Sequence, residues 1–192
     1  MRAFSTNTPK LAGLVASMFV IAACASADTI ATFADPAPSG DTPLFLLSDD
    51  TLNGGWAGTG LDLLTPITAD VYPNATFTMS ELTVDGTGLT NAGNIEFHDA
   101  GGALILRIDF DSAHFWDPFG FGASDLVTEN VMFSGPLVTT PLVDEAFAFS
   151  FANRTVTPEG VTWTAAFTSS AIPEPSTAVL LGVGLVILLR RR

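Results

Sequence analysis

The stretch AFAFSFA, residues 146–152, decides the fold class of this chain. Phe147, Phe149 and Phe151 recur at every second position and alternate with small residues. Side chains two positions apart share one face of a β-strand, whereas in a helix they point in widely different directions. The stretch therefore predicts a half-buried strand whose aromatic face lies in the core.

The same alternation returns a few residues later. Val161, Trp163, Ala165 and Phe167 follow a turn at 157–160 that contains proline and glycine. Two alternating segments joined by such a turn are typical of a β-hairpin.

Alternation also extends upstream, where apolar residues form one face and a mixed set forms the other. Leu104, Leu106, Ile108 and Phe110 make the apolar face, opposed by Ala103, Ile105, Arg107 and Asp109. Outside the two ends of the chain no segment has the pattern of an amphipathic helix. Many short strands separated by turns predict an all-β domain, a β-sandwich of jelly-roll type, with further strands at Ala75–Val84, Asn94–His98 and Glu129–Ser134.

The N-terminal segment has the layout of a secretory signal peptide. Two basic residues precede an apolar run from Leu11 to Ala23, and the small residues Ala25 and Ala27 follow it. We expect residues 1–27 to be removed by signal peptidase, which leaves Asp28 at the start of the exported chain.

Cys24 gives an alternative reading of this segment, because the residues Ile21 to Cys24 have the shape of a lipoprotein cleavage site. Cys24 is also the only cysteine in the sequence. The exported domain, 28–171, therefore contains no disulfide and no thiolate metal site, and its stability has to come from a hydrophobic core.

Charge is distributed unevenly along the chain. All twenty acidic residues lie between Asp28 and Glu174, where only Arg107 and Arg154 oppose them, so this region has an excess of 18 negative charges. Such a surface repels nucleic acid and anionic lipid. We expect no nucleic-acid partner and a soluble acidic exterior.

The C-terminal segment predicts a membrane anchor. Fourteen uncharged residues, Ser176–Leu189, would span about 21 Å as a helix, which is short of a hydrocarbon core of about 30 Å. They are apolar on every side and end in Arg190, Arg191 and Arg192, whose long side chains extend the span and stay on the cytoplasmic side. We expect a transmembrane helix at about 176–189, with Pro173 and Pro175 outside it.

Ile-Pro-Glu-Pro-Ser-Thr, a short apolar helix and three terminal arginines together resemble the PEP-CTERM protein-sorting signal, also known as an ice-binding protein C-terminal domain. The resemblance is confined to residues 172–192. It implies that an exosortase recognises Pro173, Glu174 and Pro175 and cuts near them. It also implies an exopolysaccharide-producing bacterium, a precursor anchored in the inner membrane with its domain on the periplasmic side, and a final place at the cell surface or outside the cell.

Two groups of oxygen-bearing side chains are weak candidates for calcium. Asp49 and Asn53 lie in a run that matches the front of a calcium loop, but Gly60 stands where a bidentate glutamate is needed. Asp109 and Asp111 share one face of a predicted strand. An acidic turn and a solvent-facing strand without metal are the favoured interpretations, and we expect no cofactor.

Aromatic residues at two places are candidates for contact with a glycan. The stretch 114–122, which contains Trp116, is unusually aromatic for a loop, and Trp56 is flanked by glycines. Exposed rings provide flat apolar platforms for sugars. The favoured alternative is that the rings cover an open end of the core.

Evidence for catalysis is sparse. His98 and His114 are the only imidazoles, and no motif of a nucleophile elbow, a zinc protease or a phosphate loop is present. We therefore expect a non-enzymatic surface or matrix protein. The alternatives are a carbohydrate-binding module or adhesin and, with less support, a secreted glycoside hydrolase.

Overall fold

The computed structural model describes residues 26–37, 42–127 and 129–174. These residues form fourteen β-strands and a short 3₁₀ turn at Asp125–Val127, and they contain no α-helix. The predicted all-β class is confirmed. The core of the predicted signal peptide, Cys24 and the predicted transmembrane helix lie outside the described residues, and none of the described helical segments is long and apolar enough to cross a membrane.

The strands are mostly short, apart from the last two. In chain order they are β1 (Asp28–Phe33), β2 (Phe45–Ser48), β3 (Thr51–Trp56), β4 (Leu63–Thr65), β5 (Asp70–Tyr72), β6 (Thr76–Met79), β7 (Leu82–Thr83), β8 (Gly93–His98), β9 (Leu104–Phe110), β10 (His114–Trp116), β11 (Gly120–Ser124), β12 (Met132–Ser134), β13 (Leu142–Thr157) and β14 (Gly160–Pro173).

Hydrogen bonds connect the strands into one antiparallel sheet. Its main path runs β10-β11-β13-β14-β2-β3-β6-β8-β9-β12, with β1, β4, β5 and β7 attached beside it. The path is open, and β10 and β12 stand at its two ends. The division into two separate sheets that defines a sandwich or jelly roll stays a prediction.

The hairpin predicted from the alternating phenylalanines is confirmed as β13 and β14. Phe149 lies opposite Phe167, and Phe151 lies opposite Ala165. The turn ends at Gly160, which has a φ of +145° and stands against the backbone of Leu47. Glycine is required there because an added Cβ would collide with that backbone.

Strand β3 joins the two halves of the sheet, which are β10-β11-β13-β14-β2 on one side of it and β6-β8-β9-β12 on the other. Its first four residues pair with β2, whereas Gly55 and Trp56 pair with β6. A Cβ added at Gly54 would lie 2.5 Å from the ring of Phe45, so glycine allows the ring to pack directly on the strand.

Aromatic rings from both halves meet in one core. Phe33 on β1 packs on Phe77 of β6 with ring centroids 5.7 Å apart, and Phe97 of β8 packs on Phe167 of β14 at 4.8 Å. Phe149, which is 1% exposed, lies 5.7 Å from Phe77. Ring pairs at these distances add stabilisation beyond the area they bury.

Local structure differs from the expectation at three places. Ile105, expected on the outer face of its strand, is only 4% exposed. The segment around Leu137 covers it, and the amide of Leu137 donates a hydrogen bond to the carbonyl of Ile105 at 3.1 Å. The strand expected at Ala75–Val84 is broken into β6 and β7, and the one expected at Glu129–Ser134 begins only at Met132. The aromatic stretch 114–122 is largely a hairpin, β10 and β11, rather than a loop.

Candidate functional site

Strand β14 runs on into the predicted sorting segment. Ala171 is fully buried, and Pro173 is half-buried and lies opposite Leu142 of β13. The amide of Glu174 donates a hydrogen bond to the carbonyl of Pro141 at 3.0 Å, while the Glu174 residue itself is exposed. The sorting segment therefore begins inside the folded domain, with no linker before Glu174.

The residue predicted to begin the exported chain, Asp28, lies beside this segment. Asp28 is the Cα partner of Ala171, and Thr29 is the partner of Ser170. Ala27, one of the two residues predicted to specify signal cleavage, is exposed next to it. Ala25, Pro175 and Arg190 to Arg192 lie outside the described residues. The two predicted membrane-directed segments therefore attach to the domain at neighbouring positions.

An exposed aromatic platform stands on β10. The rings of His114 and Trp116 stack face to face, with centroids 4.8 Å apart and an interplanar angle of 6°. Both rings share one face of the strand because the residues are two apart, and the intervening Phe115 points into the core. Trp116 is 55% exposed. Opposite them on β11 are Gly122 and Gly120, where an added Cβ would collide with the backbone of Phe147 and Phe149 on β13, so glycine allows β11 and β13 to pair closely.

Turn contacts hold this platform in place. The Arg154 guanidinium on β13 binds the Asp117 carboxylate, with Nε–Oδ1 at 2.9 Å and Nη2–Oδ2 at 3.0 Å. This ion pair raises the pKa of Arg154. The amide of Phe151 donates to the carbonyl of Phe119 at 2.9 Å. Phe119 itself projects into solvent and is 77% exposed.

Glu129 lies beneath the platform and is the residue that sequence reasoning missed. It is 3% exposed, and its Oε2 accepts a hydrogen bond of 2.6 Å from the amide of Ser124. Its Oε1 is buried 3.2 Å from Nε2 of His114, within ion-pair distance, and makes no hydrogen bond within the described residues. No sequence motif marks Glu129, since a single acid before a short strand has no distinctive pattern.

These side chains line a groove of about 580 Å³ on the outer face of β11, β13 and β14. Small residues form its floor, among them Gly122, Ala148 and Ser170. The rings of His114, Trp116 and Phe119 line the groove together with Glu129. The groove is lined mainly by rings and small residues, an arrangement suited to a ligand that has an apolar face.

Asp109 and Asp111 are already occupied by other partners. The guanidinium of Arg107 forms a fork on Asp109, with Nη2–Oδ1 at 2.7 Å, and also contacts Glu96 at 2.6 Å. Asp111 accepts a hydrogen bond from Asn130 at 2.6 Å. In the described part of the chain no three acidic, histidine or cysteine side chains are grouped closely enough to hold a metal ion.

A second groove, of about 840 Å³, contains Asp109 and Asp111 together with Asp125 and Glu145. The two last carboxylates also have partners: Asp125 accepts from the amide of Val131 at 2.6 Å and Glu145 from the amide of Phe133 at 3.0 Å. Burial raises the pKa of Glu145, and the charge of Asp125 adds to this effect. These carboxylates connect neighbouring segments of backbone.

The remaining predicted site residues are dispersed. Asp49 is an exposed turn residue with a φ of +51°, and Asn53 lies exposed on β3 opposite Leu46. Trp56 is 9% exposed and belongs to the core, so its ring offers little surface to a sugar. His98 lies 3.8 Å from Glu96, far from the platform in the strand order.

Comparison with known proteins identifies one segment of the chain. The model of the PEP-CTERM protein-sorting motif matches residues 171–192, a C-terminal segment only. No curated protein and no solved structure shows a significant match. The motif implies an exosortase-sorted, exported protein that is anchored in a membrane and sorted to the cell surface.

Proposed function

We propose that this chain is a non-enzymatic surface or extracellular-matrix protein of an exopolysaccharide-producing bacterium. In this proposal the signal peptide directs export, and the C-terminal helix holds the precursor in the inner membrane with its domain on the periplasmic side. An exosortase then cuts near Pro173, Glu174 and Pro175 and releases or transfers the domain.

The observation that carries the proposal is the position of the motif at the end of β14. Because Pro173 is paired in the sheet and Glu174 is exposed directly after it, these two of the three proposed recognition residues lie at the end of the folded domain, on the side of the predicted membrane helix. An enzyme embedded in the membrane would meet the motif there after the domain has folded.

The pairing of Asp28 with Ala171 supports the same sequence of events. Both predicted membrane segments leave the domain at one place. The domain can therefore fold on one side of the membrane while both segments are still inserted. The two halves of the sheet pack on each other through one aromatic core, and we interpret this arrangement as sandwich-like. It suits a rigid extracellular module whose stability does not depend on disulfides.

Replacing Glu174 with alanine tests the proposal. Glu174→Ala should leave the precursor in the inner-membrane fraction at its unprocessed mass, because the exposed carboxylate that an exosortase would read is gone. The matched control is Glu159→Ala, an exposed glutamate in the β13–β14 turn, which should be distributed like the wild type. Equal location and mass for Glu174→Ala and the wild type would contradict the processing proposal.

A further inference from the structure

We propose that the groove beside β10 is a binding site for an uncharged polysaccharide, with one sugar ring stacked on Trp116. Nothing in the sorting motif requires such a site, so the inference goes beyond the handling of the protein and concerns what its domain binds.

The first step rests on the exposed rings. Trp116 and Phe119 are 55% and 77% exposed, and His114 supports Trp116 from behind through a parallel stack. The hairpin and the Arg154–Asp117 ion pair fix the backbone on both sides of the rings. A fixed ring loses little conformational freedom when it binds, which makes it an effective platform for the apolar face of a sugar.

The second step rests on Glu129. Glu129 is 3% exposed; its Oε2 accepts a hydrogen bond from the amide of Ser124, and its Oε1 lies 3.2 Å from Nε2 of His114. These two contacts connect His114 to the backbone of β11 and hold the ring that stacks on Trp116. Glu129 therefore positions the platform and is not itself offered to a ligand.

The third step concerns charge and size. The region from Asp28 to Glu174 has an excess of 18 negative charges, which disfavours anionic polymers and leaves uncharged ones. A volume of about 580 Å³ lies within the range of small-ligand sites and suits a short section of a polysaccharide. The floor of small residues leaves room for the chain of sugars to continue along the sheet.

The test uses the full chain in native affinity gels that contain one polysaccharide each. The neutral probes are dextran, a soluble β-1,3-glucan, a soluble β-1,4-glucan and a galactomannan, and alginate is the anionic control. We expect at least one neutral probe to retard the protein and alginate not to. The same probe should change the tryptophan fluorescence, since Trp116 is exposed whereas Trp56 and Trp163 are buried.

Trp116→Ala should raise the apparent dissociation constant obtained from the retardation at least about tenfold. A loss of this size is typical when a central aromatic of a binding site is truncated. Trp116→Phe should restore part of it. Val156→Ala is the matched control, because Val156 is 69% exposed on β13 and lies outside the groove. Trp116→Ala should also keep the wild-type cellular location, which separates this proposal from the sorting proposal.

Three results would overturn the inference. They are no retardation by any of the neutral probes, retardation that Trp116→Ala leaves unchanged, and retardation by alginate as strong as by the neutral probes.

Discussion

Truncating Phe149 to alanine should remove a large part of the stability of this domain. Phe149 is 1% exposed and lies at the centre of the ring cluster in which the two halves of the sheet meet. The phenylalanines whose ring centroids lie within 6.3 Å of it are Phe33, Phe45, Phe77, Phe121, Phe147 and Phe167.

Core substitutions of this kind cost about 3–5 kcal/mol, because transfer free energy is lost and a cavity remains. The neighbours of Phe149 are themselves rigid rings held by strands, so they can collapse little into the space. We therefore expect a loss in the upper half of that range. A whole domain is typically stable by only about 5–15 kcal/mol, so the change is large.

The assay is urea unfolding at equilibrium, followed by circular dichroism, with Phe119→Ala as the control. Phe119 is 77% exposed, and its truncation should change the free energy of unfolding by no more than about 0.5 kcal/mol. The urea dependence should be the same in both variants. A loss below about 1 kcal/mol for Phe149→Ala would refute the packing of the two halves through this ring.

Two further predictions concern single positions elsewhere in the domain. Burial raises the pKa of Glu145, with Asp125 adding to the rise, so the folded state gains stability as the pH falls through that pKa and loses it as the pH rises. Glu145→Gln should therefore be more stable than the wild type at neutral pH and equal to it below about pH 4, measured by urea unfolding at each pH. Gly160→Ala should lower the melting temperature, because its φ of +145° and the nearby backbone of Leu47 leave no place for a methyl group. Gly86→Ala, with no atom near the added methyl, should not lower it.

Much of the strand content could be predicted from the sequence. Alternating apolar residues are a local signal, and the segments with the longest alternation, around Phe149 and Leu106, are strands β13 and β9. Strands β4, β5 and β7 have only two or three residues, too few to show a period. The pairing of β1 with β14 joins residues about 140 positions apart, and no local pattern encodes it.

The candidate site could be predicted only in part. The aromatic residues of 114–122 indicated a surface feature, and Trp116 is indeed exposed. Trp56, the other candidate, is flanked by glycines but lies in the core, at the point where β3 passes from β2 to β6. Glu129 could not be found, since its importance comes from its burial beside His114, and burial of a single acid depends on tertiary packing.

The most direct test of the sorting account is the intact mass of the protein recovered from the cell surface and the medium. The account predicts one mass, for a chain that begins at Asp28 and ends near the Pro173 to Pro175 motif, without Arg190 to Arg192. Recovery of a chain that still includes the arginines and the apolar segment in those fractions would contradict it.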